Sequence, residues 1–168
     1  MKKLLLGLFA LGLASHSHAQ IIKTEQLKEV VVEAVNYKYL NQLDNSEAAI
    51  PVQMLERKVA AYDVTKQNFY EDDYDFYTVS FYIPEGKIVA VYNPQGQITR
   101  TIERFNDVAL PRAVQESLYK RFPNWQVSND TYKVNYHESK GVKKSYKIKL
   151  ENGDKTMRVK MTEDGEFL

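Results

Sequence analysis

Residues 110–125 read LPRAVQESLYKRFPNW. Leu110, Val114, Leu118 and Phe122 recur every fourth position, which lays them along one slowly drifting helix stripe. Pro111 stands in the first turn, where its missing N–H costs nothing, and Pro123 with Asn124 stops the helix. The pattern has a precedent in IPVQMLERKVAAYD, residues 50–63. There Ile50-Pro51 matches Leu110-Pro111, Met54 matches Val114 and Tyr62 matches Phe122, all at an offset of sixty. The apolar stripe of this first helix is Val52, Leu55, Val59 and Tyr62, spaced by three and four.

Each helix is followed by strand patterns. In DFYTVSFYI, Tyr77, Val79, Phe81 and Ile83 share one face, and Phe76, Thr78, Ser80 and Tyr82 share the other. Pro84-Glu85-Gly86 turns the chain into KIVAVY, and Asn93-Pro94-Gln95-Gly96 turns it again into QITRTIERF. After the second helix, TYKVNY (131–136), VKKSYKIKLE (142–151) and KTMRVKM (155–161) form three more strands, the last two joined through the tight-turn signal Asn152-Gly153-Asp154. The repeat is imperfect, because Lys58 falls where Leu118 sits and the offset drifts to sixty-nine in the turns. The expectation is an α+β protein of two tandem helix-plus-antiparallel-sheet repeats, over 50–105 and 106–168. Each helix would bury its stripe on its own sheet and leave the other sheet face open. Ahead of them, residues 20–49 read as an N-terminal strand (27–40, LKEVVVEAVNYKYL) and a linker, a helix being the alternative for that segment.

LPRAVQESLYKRFPNWQVSNDTYKV and KSYKIKLENGDKTMRVKMTEDGEFL together resemble the PepSY-like family of exported Gram-negative proteins, whose fold is similar to that of the beta-lactamase inhibitory protein. The shared pattern is Leu-Pro, spaced aliphatics, Phe-Pro, a strand, then a hairpin closing on Asp-Gly. It covers residues 110–168 well and 50–105 loosely, and residues 20–49 lie outside it. The motif consists of core and turn positions and carries no catalytic residue. It implies a small exported module that binds or inhibits another protein.

The N-terminus agrees with export. Lys2 and Lys3, the apolar run 4–14 and Ser17-His18-Ala19 form the three parts of a signal peptide, residues 1–19. No later segment approaches the roughly 20 apolar residues of a membrane span. A periplasmic or secreted chain starting near Gln20 is expected. Without Lys2 and Lys3, the 23 basic residues become 21 against 22 acidic ones, a balance that argues against a nucleic-acid binder. With no cysteine, the domain must hold by its core alone, to which 12 tyrosines and 7 phenylalanines contribute.

Chemistry is sparsely represented. His137 is the only histidine after the signal peptide, so neither a nucleophile–base pair built on histidine nor a histidine metal site is expected. EDDYD (71–75) clusters oxygen ligands but lacks the spacing and glycine of an EF-hand, and reads as a solvated turn. Any two carboxylates can meet across a fold for glycoside cleavage, yet nothing marks a pair. The turn glycines form no phosphate loop, so no cofactor is expected. Trp125, directly after Phe122-Pro123, is expected to cover the helix end.

One pattern stands out. If Tyr132, Val134, Tyr136, Tyr146, Ile148, Leu150, Met157, Val159 and Met161 face the helix, the opposite parity carries Lys133, Lys143, Lys147, Lys149, Arg158 and Lys160. With Phe76 and Tyr82 from the first repeat, these form a candidate face for an acidic protein partner. The plainer reading is a solvated sheet face whose lysines oppose aggregation. The expected function is thus a non-enzymatic binding module, of which a protease or hydrolase inhibitor is one form. The alternative is a structural envelope accessory or a small-ligand carrier using the groove between the repeats.

Overall fold

A computed structural model describes residues 35–71 and 73–168. Among the described residues, three α-helices lie against one antiparallel sheet: α1 (Tyr37–Leu43), α2 (Ile50–Ala61) and α3 (Arg112–Arg121). The six strands are β1 (Tyr77–Ile83), β2 (Gly86–Tyr92), β3 (Ile98–Asn106), β4 (Gln126–His137), β5 (Gly141–Asn152) and β6 (Lys155–Met161). Their order in the sheet is their order in the chain.

The halves expected to form separate sheets are therefore one sheet. Strands β3 and β4 pair from Arg100 with His137 through Asn106 with Thr131, although α3 lies between them in sequence. Two separate three-stranded sheets would leave four edges of unpaired backbone groups, and joining them removes two. The architecture is α+β with three helices and a continuous six-stranded antiparallel sheet among the described residues.

The helix stripes behave as their spacing predicts. Val52, Leu55 and Val59 of α2 are buried, as are Val114 and Leu118 of α3. Pro111 sits one residue ahead of α3, and the Phe122 N–H closes the helix by donating to the Leu118 carbonyl at 2.8 Å. The buried sheet face is rich in tyrosine. The Tyr132 and Tyr146 rings stack with centroids 4.5 Å apart, and Tyr39 of α1 meets Tyr136 edge-on at 5.2 Å. At Gly165, φ is +83° and a Cβ would lie 2.5 Å from the Ala113 carbonyl oxygen, so only glycine lets the last turn tuck under α3.

The strand expected over residues 27–40 is corrected where the structure describes it. Residues 27–34 lie outside the described residues, and Tyr37–Leu43 is helix. Tyr39 and Leu43, four apart, are its buried positions, whereas the strand reading paired Tyr37 with Tyr39. Asn36 fixes the start of α1. Its Nδ2 donates to the Gly96 carbonyl at 3.1 Å and its Oδ1 accepts from the Ile98 N–H at 2.7 Å, tying α1 to the turn between β2 and β3.

Candidate functional site

Alternation along the strands puts every second side chain on the sheet face away from the helices. The pairing register aligns these outward residues into rows. One row runs Tyr82, Lys87, Arg104, Lys133 and Ser145 across β1 to β5. The next runs Ser80, Val89, Ile102, Asn135 and Lys143. Lys147 stands opposite Lys160, and Lys149 opposite Arg158. The six cations singled out from the sequence thus share one face, away from the buried Tyr132, Tyr146 and Ile148.

Sequence reasoning brought only Phe76 and Tyr82 from the first half onto this face, and here the structure adds to it. Lys87, Arg100 and Arg104 on β2 and β3 occupy the same face, bridging Tyr82 to Lys133. Their signal was present: Ile88, Ala90 and Tyr92 are the buried residues of β2, so Lys87 must point the other way. Glu151 is the one carboxylate among the described strand positions of this face. It bonds Lys149 at 2.5 Å, which holds it below the usual carboxylate range. The other eight cations make no ion pair among the described residues. Phe76 and Tyr82, 65% and 67% exposed, lie at the β1 margin and supply apolar area next to the charge.

The remaining candidates fall elsewhere. Trp125 is half-buried against the core just past α3, and its backbone N–H donates to the Phe122 carbonyl at 3.0 Å. His137 is exposed at the end of β4, where its Nδ1 lies 3.3 Å from the Ser139 N–H. Glu71, Asp73 and Asp75 are exposed ahead of β1. Among the described residues, no group of three or more His, Cys, Asp or Glu side chains is placed to hold a metal.

Two features of the helix side had no sequence signal. The first is a groove of about 480 Å³ between the α1–α2 link and α3. Tyr132 and Tyr146 line it beneath a rim that includes Asp44, Glu47, Glu116, Glu163 and Asp164, while Arg112 is held by Glu116 at 2.6 Å. The second is a buried carboxyl pair, Glu56 of α2 and Glu103 of β3. Glu103 Oε1 accepts from the Tyr39 hydroxyl at 2.7 Å and the Thr101 hydroxyl at 2.6 Å, but its Oε2 has no donor. Burial, and then the charge of Glu103, push Glu56 up to about 9. Burial raises Glu103 as well, so at least one of the two carboxyls keeps a proton at neutral pH. Asn45 Nδ2 donates to Glu56 Oε1 at 2.5 Å, and buried Lys144, which pairs with Glu163 at 2.7 Å, partly offsets the negative charge.

No family model matches the chain, and no curated protein matches it. Among solved structures, the chain is similar to a DUF2874 family protein from Bacteroides ovatus ATCC 8483. The two share 20% sequence identity and a TM-score of 0.35, over 70% of this chain and 82% of that one.

Proposed function

We propose that the chain is an exported, non-enzymatic binding module that docks its open sheet face onto an acidic surface of another protein. The observation that carries this reading is the charge census of that face: nine cations against Glu151, in a chain whose net charge is only +1. Such a field raises the encounter rate with an acidic partner, while Phe76, Tyr82 and Ile102 supply area to bury on contact. The PepSY-like resemblance of residues 110–168 supports a binding role, and inhibition of a protease or other hydrolase is the form it favours. The signal-peptide pattern of residues 1–19 supports a periplasmic or secreted location.

The Glu56–Glu103 pair is read as structural. Glu103 is 1% exposed, and its Oε1 is already engaged by Tyr39 and Thr101, so a substrate would have to displace core contacts to reach it.

The test is a cross-linked pull-down from the periplasm and culture medium of the native host. One bait carries the wild-type face and the other carries Lys147, Lys149, Arg158 and Lys160 changed to Glu. A protein captured by the first and lost with the second is the expected result, with an association rate that falls as salt rises. Equal capture by both baits would remove the sheet face as the site. The groove beside Tyr132 and Tyr146 favours a second reading, a carrier of small ligands, which predicts binding indifferent to reversing the sheet-face charges.

A further inference from the structure

The two edges of the sheet are treated differently. Strand β6 carries Lys155, Arg158 and Lys160 within seven residues. The chain's own end covers part of it: the Leu168 N–H donates to the Lys160 carbonyl at 2.8 Å and the Thr162 N–H to the Glu166 carbonyl at 2.9 Å. Cations and a covering segment are the usual devices that stop an edge from recruiting another strand. Among the described residues, strand β1 has neither. Its seven residues, YTVSFYI, include no charge, proline or glycine, and its pairing with β2 runs without a bulge. Among the described residues, no strand pairs with its outer side. The side chains of Thr78, Ser80 and Tyr82 are exposed along it.

We propose that β1 pairs antiparallel with β1 of a second copy of this chain, joining two six-stranded sheets into one across a two-fold axis. The strand is complementary to itself. A pairing centred on Ser80 sets Tyr82 opposite Thr78 of the partner and Tyr77 opposite Ile83, and no charged side chain meets another along the seven residues. Aromatic and β-branched residues facing across strands are favourable pairs. Outside those seven residues the flanks are mixed in charge: the same register sets Asp75 opposite Glu85 of the partner, and Lys87 of β2 is the nearest cation at the Ile83 end. The same pairing at β6 would bring Lys and Arg side chains together, so the bare edge is the one suited to self-association.

Antiparallel pairing keeps both open faces on one side of the joined sheet. The dimer therefore doubles the basic face and presents it as a single surface. Dimerisation does not depend on that face binding a partner, so the two ideas stand or fall separately.

The experiment is sedimentation velocity on the full chain, expressed with its own leader, from about 1 to 200 µM. The wild type is expected to pass from monomer to dimer over this range. Ser80→Lys places a lysine opposite itself at the two-fold axis and should raise the dimer dissociation constant at least tenfold, with an unchanged unfolding midpoint. Ser80→Glu should do the same. Mixing the two variants should restore the dimer, because Lys and Glu then face each other. If either variant fails to fold, the double change Thr78→Lys with Tyr82→Lys takes its place, because the register sets these two exposed positions of the two copies opposite each other. A wild type that stays monomeric throughout, or a dimer indifferent to both charges, overturns the proposal; so does a strand from elsewhere in the chain shown to occupy the edge.

Discussion

At Glu56 a single proton links the core to pH. The folded chain holds this carboxyl up to about 9, and the unfolded chain releases the proton near the ordinary glutamate value of 4.5. Between those values the folded state binds more protons than the unfolded state, so stability falls as pH rises and levels off above the folded value. Glu56→Gln keeps the shape and supplies a permanent donor to Glu103 Oε2, while its carbonyl can still accept from Asn45. The variant should be more stable than wild type at pH 9 by about 1–3 kcal/mol, the cost of an ill-satisfied buried polar group. It should also show a flatter profile from pH 5 to pH 9. Urea midpoints at several pH values check this, and a wild-type profile already flat over that range would remove the proton retained on Glu56. Glycine offers a second contrast at this scale. Gly153→Ala meets nothing within 4 Å and bears only the left-handed backbone cost of about 1–2 kcal/mol. Gly165→Ala adds a collision with the Ala113 carbonyl and should lower the midpoint further, a difference that thermal unfolding resolves.

Among elements, the core helices and the strands were legible because each rests on a period that packing then enforces. Val52, Leu55 and Val59 lie on one side of any helix built from residues 50–61, and the sheet confirms that side. Helix α1 was not legible. Its seven residues are too few to establish a 3.6-residue period, and the valines before them draw a reader toward a strand. What makes it a helix is tertiary: Tyr39 bonds Glu103, Leu43 is buried, and Asn36 grips the β2–β3 turn. A segment this short is marginal in isolation. Asn36→Ala should leave the Gly96 carbonyl and the Ile98 N–H without these partners and cost about 2–4 kcal/mol. Amide exchange should speed up across α1 while β4 and β5 keep their protection. Uniform loss of protection would mean that α1 is not a separable element. The candidate face was half legible for a related reason. Parity along a strand is local and readable, which exposed the cations of β4 to β6. The joining of β3 to β4, which brings Lys87, Arg100 and Arg104 onto the same surface, is a long-range pairing without a local signature.

For the whole molecule, the decisive fact is that the strands of both halves of the sequence pattern share one sheet. Two sheets with separate cores would unfold in two steps, or in one step only by coincidence. Here Phe105 of β3 stacks on Tyr132 of β4 with centroids 6.3 Å apart, and Tyr132 stacks in turn on Tyr146. Glu103 of the first half accepts from Tyr39, whose ring packs on Tyr136 of the second. The buried side chains thus form one cluster that runs through the line where a boundary was expected, near residue 106. Loss of either half would strip the β3–β4 ladder and expose Phe105 or Tyr132, neither of which has another aromatic partner within its own half among the described residues except Tyr146. The chain should therefore unfold in a single calorimetric transition whose van't Hoff and calorimetric enthalpies agree. Residues 50–105 expressed alone should lack cooperative unfolding. Two resolved transitions, or a first half that folds by itself, would show that the sequence repeat is a domain repeat after all. Cooperative coupling across β3 and β4 also bears on the proposed binding face, since its cations are divided between the halves. Only a sheet that stays whole holds Arg104 beside Lys133, so any condition that melts one half must also dismantle the charge pattern of the other.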